Sequence, residues 1–130
     1  MNTHQLQQAI HKAEQELLIA QQEMNKPHED VVTLSACNNL RSSMRHLMIQ
    51  YLLSKGVQSN EHMSLDQLMD LCIIANENFS RVPIAALKCK HLEGGQCDTK
   101  YCLAIENVDC CMQAATDLKN IVLEELNITA

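Results

Sequence analysis

Tryptophan is absent from this sequence, and Tyr51, Phe79 and Tyr101 are its only aromatic residues. A core without large rings has to be filled by Leu, Ile, Val, Ala, Cys and Met, a set that suits closely packed helices. The same scarcity leaves no row of stacking platforms of the kind single-strand nucleic-acid binders use. Positive charge is also short, with ten Lys and Arg against sixteen Asp and Glu and a formal net charge of −6. That balance excludes a surface that is one broad phosphate footprint, because such binding is driven by Lys and Arg displacing counterions. A local basic patch stays open. No apolar run approaches membrane-spanning length, and the polar start Met1-Asn-Thr-His lacks the charged and apolar regions of a signal peptide, so a cytoplasmic protein is expected. Alternating strand patterns, internal repeats and low-complexity tracts are missing too.

What is present fits one domain over residues 1–130, with 46% apolar and 20% charged residues, enough to bury a working core without staples. Seven cysteines are an odd number, so at least one stays unpaired within the chain. Several fall at core positions of predicted helices, and reduced thiols fit better than a disulfide framework.

Apolar positions recur at steps of three and four in four long segments, the pattern of amphipathic helices. The organising one runs from about Asp30 to Gly56, with Cys37, Leu40, Met44, Leu47 and Tyr51 as its buried seam and Asn39, Ser43, His46 and Gln50 as its wet side. Gly56 suits a left-handed C′ residue, and Lys55 suits the dipole in the last turn. Before it, Thr3 to Met24 carries Leu6, Ile10, Ala13, Leu17, Ala20 and Met24 inward and stops before Pro27. After it, Ser64-Leu-Asp-Gln67 is a capping box that opens a third helix, expected to reach about Asn78 with Leu65, Leu68, Cys72, Ala75 and Phe79 inward. Pro83 opens a short extra helix through Leu87, which ends before Gly94-Gly95. Asp98 or Thr99 caps the last helix, which carries Ala104, Val108, Cys111, Ala115, Leu118 and Val122 inward and ends near Asn127. The expected fold is all-α, an antiparallel up-and-down four-helix bundle with that short extra helix before the last long one.

Three constellations can carry chemistry. Cys89, His91, Cys97 and Cys102 gather around the Gly94-Gly95 turn, and thiolate and imidazole are the ligands zinc prefers. Their spacing includes no Cys-x-x-Cys pair, Cys102 equally suits a core position, and Lys88, Lys90 and Lys100 could instead activate the thiols for redox chemistry. Cys110 and Cys111 stay out of this set, since neighbours on a helix point about 100° apart and only one of them can face the core. The second constellation is Arg41 and His46, an Arg that can stabilise a phosphate oxyanion and a His that can act as acid or base. Five residues on a regular helix separate their directions by about 140°, so convergence needs a helix break or a second subunit. The bland alternative is a solvated face with Arg45 and His46 on the surface. The third is the basic set Arg81, Lys88, Lys90, His91 and Lys100, a candidate phosphate or nucleotide holder interrupted by Glu93 and Asp98 and lacking a glycine-rich cradle. Catalytic carboxylate pairs, Ser/His/Asp sets, Walker motifs and His-Glu-x-x-His helices are absent.

The runs Leu40-Arg-Ser-Ser-Met-Arg-His46-Leu-Met-Ile-Gln-Tyr-Leu-Leu-Ser-Lys-Gly56, His62-Met-Ser-Leu-Asp-Gln-Leu68 and Asn107-Val-Asp-Cys-Cys-Met-Gln-Ala-Ala-Thr-Asp-Leu-Lys-Asn-Ile-Val122 together resemble the higher eukaryotes and prokaryotes nucleotide-binding (HEPN) superfamily. The resemblance covers roughly Asp30 to Leu126 and rests on helix order and patterning. It implies a helical bundle, often a homodimer, often working beside a minimal nucleotidyltransferase. Some members are metal-independent ribonucleases, including toxins, whose Arg-x-x-x-x-His motif meets its symmetry mate across the dimer. Arg41 and His46 match that spacing but lie earlier in the chain than the motif does in those nucleases. The first expectation is therefore a homodimeric binding or accessory module that holds a nucleotide or partners a nucleotidyltransferase-type protein. The alternatives are a ribonuclease using Arg41 and His46 across a dimer, and a small metal- or redox-responsive protein, with zinc as the candidate metal, built on Cys89, His91, Cys97 and Cys102.

Overall fold

The structure, a computed structural model, describes residues 3–82 and 105–127. Its order is α1 (Thr3–Met24), a 3-10 turn (His28–Asp30), α2 (Thr33–Ser54), α3 (Leu65–Ala75), a second 3-10 turn (Glu77–Arg81) and α4 (Ile105–Leu126). This is an all-α helical bundle, with no strand among the described residues. No described helix is long and apolar enough to cross a membrane.

The central position belongs to α2, which touches α1, α3 and α4, while α1 also touches α4. Contacts pair Ala13 with Ser43, Glu16 with Ser42 and His46, and Glu23 with Val32, so α1 and α2 run antiparallel. Ala13 and Ala20 on α1 are wholly buried. Small residues there let the two backbones approach until Ser43 Oγ donates to the Ala13 carbonyl at 2.7 Å. The expected seam Cys37, Leu40, Met44, Leu47 and Tyr51 is buried throughout.

The expected wet side of α2 is corrected. Ser43 is fully buried and Arg45 is 5% exposed, because α1 covers one flank of the helix and the chain entering α3 covers another. A helix packed on several sides has no broad solvated face, and its polar residues lie within contacts between elements.

The start of α2 also moves, from Asp30 to Thr33. Val32, its N-cap residue, has no side-chain cap of its own. Its amide instead donates to Glu23 Oε2 of α1 at 3.1 Å, which, ahead of the nearby Lys26, holds that carboxyl below its usual range. At the other end, Gly56 has φ +73°, Val57 N–H donates to Leu52 O at 2.9 Å and Gly56 N–H to Leu53 O at 3.1 Å. This is the expected glycine C-cap in its Schellman form.

Ser64 and Gln67 form the expected capping box, with Gln67 N–H donating to Ser64 Oγ at 3.1 Å and Ser64 N–H to Gln67 Oε1 at 2.9 Å. The end of α3 is earlier than expected. Asn76 turns extended, and its Oδ1 accepts the Asn78 amide at 2.9 Å, so a local side-chain bond replaces the helix and a 3-10 turn delivers Phe79 to the core. Ala75, expected inward, is exposed at this end, and Met69, six residues earlier, is buried. In α4, Val108, Cys111, Ala115, Leu118 and Val122 are buried as expected, while Cys110 is exposed beside buried Cys111. The expected short helix after Pro83, the Asp98 or Thr99 cap and Ala104 lie outside the described residues.

Candidate functional site

Arg41 and His46 both lie on α2, which is unbroken across them. The helix break that would let them converge within one chain is therefore absent, and Arg41 is only 6% exposed. The expectation that Arg45 and His46 share a solvated surface is corrected here as well. Buried Arg45 donates through Nη1 to the carbonyls of Glu61 and Met63, fastening the chain that leads into α3. His46 is half-buried and meets α1.

The contact at His46 is made by Glu16. Its Oε1 lies 2.6 Å from His46 Nδ1, and its Oε2 accepts a hydrogen bond from Ser42 Oγ. The side chains of His46 and Glu16 are 33% and 18% exposed. An ionised carboxylate only accepts, so Nδ1 carries the proton in this pair and Nε2 is left as the second ring nitrogen. Among the described residues the His46 ring makes no other hydrogen bond. Ser42 and His46 are four apart on α2, one turn, which is why one carboxylate reaches both.

Neither Glu16 nor Ser42 was among the residues picked out from the sequence. Glu16 lies three residues after Ala13 and four before Ala20, a register that puts a carboxylate on the border of a buried small-residue seam. That register was the available signal.

Further along α2, an open groove of about 640 Å³ lies where the helix ends and the chain turns toward α3. Ile49, Leu53, Val57 and Met63 supply its apolar walls, and Gln58, Ser59 and Asn60 its amides and hydroxyl. Leu53 is 48% exposed. Among the described residues no charged side chain lines this groove, in a chain whose net charge is −6. Its volume falls within the range of small-molecule sites, and it is open to solvent rather than enclosed. Ser42, His46, Ile49 and Leu53 fall within an arc of about 60° on α2, so the groove and the imidazole share one stripe, with His46 and Leu53 about 10 Å apart along the axis.

Of the basic set, only Arg81 lies among the described residues. It borders a second cleft, of about 310 Å³, together with Asp117, Asn120 and Glu124 of α4. Two carboxylates beside a single guanidinium repel phosphate, so this cleft does not suit the anion for which the set was a candidate. Cys89, His91, Cys97 and Cys102 lie outside the described residues, as do Lys88, Lys90 and Lys100. Among the described residues no group of three or more His, Cys, Asp and Glu is placed to hold a metal ion. No family model, curated protein or solved structure matches this chain.

Proposed function

We propose that this chain is a HEPN-like binding module, a cytoplasmic homodimer that holds the base and sugar of a nucleotide in the groove at the end of α2 and presents it beside a nucleotidyltransferase-type partner. The observation that carries this reading is the groove itself, whose lining among the described residues is uncharged within an acidic chain. Apolar walls suit the faces of a base, and the amides of Gln58 and Asn60 suit its hydrogen-bonding edge. The burial of Arg41 and the use of Arg45 to hold a loop support a binding role over a catalytic one.

The test is calorimetric titration of the reduced protein with the four ribonucleoside monophosphates, beside sedimentation of the free protein. Binding that is lost in Leu53→Asp, with thermal stability retained because Leu53 is half out of the core, is the expected result. Saturating binding that Leu53→Asp leaves unchanged would move the ligand elsewhere, and no binding by any of the four would remove the nucleotide.

A ribonuclease working across a dimer is the second reading. One observation favours it, the carboxylate-held His46 with an unengaged ring nitrogen. The burial of Arg41 opposes it. RNA cleavage by the wild type that His46→Ala abolishes would promote it to first place.

A further inference from the structure

The geometry points to Glu16 as a positioning residue that, braced by Ser42, fixes His46 with its proton on Nδ1 and so makes Nε2 the acceptor that reads a sugar hydroxyl of the nucleotide in the α2 groove. This rests on the nucleotide reading above and adds to it the atom that contacts the sugar and the two side chains that aim it.

Three observations converge on it. First, both carboxylate oxygens of Glu16 are used on α2, one by Ser42 Oγ and one by His46 Nδ1 at 2.6 Å. A carboxylate held at two points cannot swing, and the ring it holds takes one orientation. Second, Nδ1 is the engaged nitrogen. A neutral imidazole has one donor and one acceptor, so a proton kept on Nδ1 leaves the lone pair on Nε2. Third, the site is neither sealed nor fully wet, with 33% of the His46 side chain exposed. An acceptor that is partly desolvated but reachable is one a ligand can use without displacing a full hydration shell.

Placement supplies the ligand class. His46 lies beyond the groove lining, on the same stripe of α2 as Ile49 and Leu53 and about 10 Å from Leu53 along the helix axis, a distance that a base with its attached sugar spans. With the base among the apolar walls, the sugar lies toward His46. A hydroxyl can donate to Nε2. A phosphate without a proton cannot, and the adjacent Glu16 carboxylate disfavours it further. The specificity expected is for ribose over a sugar lacking hydroxyls, because a site that accepts from a hydroxyl discriminates against the analogue without one.

Two measurements on the full chain test this. Long-range proton–nitrogen correlation spectra report which ring nitrogen of neutral His46 carries the proton. The wild type is expected to show Nδ1–H. Glu16→Leu should shift it to the alternative tautomer, and Glu16→Gln, whose carbonyl oxygen can still accept from Nδ1, should restore it. Titration with each ribonucleoside monophosphate and its 2′,3′-dideoxy counterpart reads the sugar contact. The wild type should prefer the ribo form by about five- to tenfold, the size of one hydrogen bond. His46→Ala and Glu16→Leu should lose that preference, binding the ribo and dideoxy forms alike. A wild-type proton on Nε2 would overturn the positioning role, and a ribo preference intact in His46→Ala would overturn the sugar contact. Absence of any nucleotide binding, with the expected tautomer in place, would remove the groove reading and the sugar assignment while leaving the Glu16–His46 geometry established.

Discussion

Tyr51 of α2 and Phe79 of the second 3-10 turn meet ring to ring in the core, with centroids 4.6 Å apart and planes tilted by 56°. Both are buried to 1% exposure or less, and the Asn76 side chain that ends α3 hydrogen-bonds to Tyr51. In a chain with so few rings, this pair fills the volume that several aliphatic side chains would otherwise occupy. Phe79→Ala should therefore cost about 3–5 kcal/mol in urea unfolding, through lost transfer energy and the cavity left behind. Phe79→Leu should cost roughly 1 kcal/mol, since it refills most of the space. Equal losses for the two would mean that volume is not what the ring contributes.

Alkaline pH should destabilise the fold through two buried acids. Desolvation pushes the Cys72 thiol up to about 12, and burial likewise raises the Tyr51 phenol. The folded state therefore keeps protons that the unfolded chain gives up from about pH 9 upward, so the unfolded state binds fewer protons and stability falls as pH rises. The contribution is complete below the free thiol value and is lost progressively toward 12. Each fully retained proton contributes a slope of about 1.4 kcal/mol per pH unit. Chemical unfolding of Cys72→Ala between pH 8 and 11 should show a shallower decline than the wild type. An identical slope would mean that Cys72 ionises as easily folded as unfolded.

Gly56 carries a different kind of constraint. Its φ of +73° is left-handed, yet a Cβ built there meets nothing within 4 Å. Substitution thus costs backbone strain and no packing. Gly56→Ala should lower stability by roughly 1 kcal/mol, and Gly56→Asn by less, because Asn tolerates this conformation. Thermal unfolding of the two variants checks the ranking. A larger loss for Asn than for Ala would point to a steric cause that the open surroundings do not supply.

Much of this architecture was legible in the sequence because its signals are local. Pro27, Gly56 and the Ser64 to Gln67 box each act within a turn of their own position, and the three-and-four spacing of Cys37 to Tyr51 marks a buried seam regardless of what covers it. The extent of burial around α2 was not legible in the same way. Ser43 and Arg45 look solvated in a one-stripe helix and become buried only when α1 and the chain leading into α3 close over them, a tertiary effect that no local pattern encodes. The end of α3 was misplaced for a related reason: Asn76 has acceptable helical spacing, but its side chain competes for the Asn78 amide. The Glu16–His46 pair spans 30 positions, so it could be suspected from register but not paired from it. Arg41 and His46 were visible as a spacing, and their divergence followed from helix geometry alone.

Arg45 links the fold to the groove. Its guanidinium, 5% exposed, donates through Nη1 to the carbonyls of both Glu61 and Met63, and Met63 is one of the groove's apolar walls. Removing the guanidinium leaves those carbonyls without their donor, while Ile49 and Leu53 stay in place on α2. Arg45→Met should therefore cost roughly 2–4 kcal/mol, the range for losing charge-assisted bonds to partly buried acceptors. Amide hydrogen exchange should quicken between residues 57 and 64 more than in α1 or α4. Arg45→Lys keeps the charge but not the planar guanidinium, and should recover only part of the loss. Nucleotide affinity should fall in Arg45→Met by more than in a variant of comparable stability loss such as Phe79→Ala, since only the former loosens a wall of the groove. If the two lose affinity equally, the wall formed by Met63 contributes nothing to binding, and the groove is made by α2 alone.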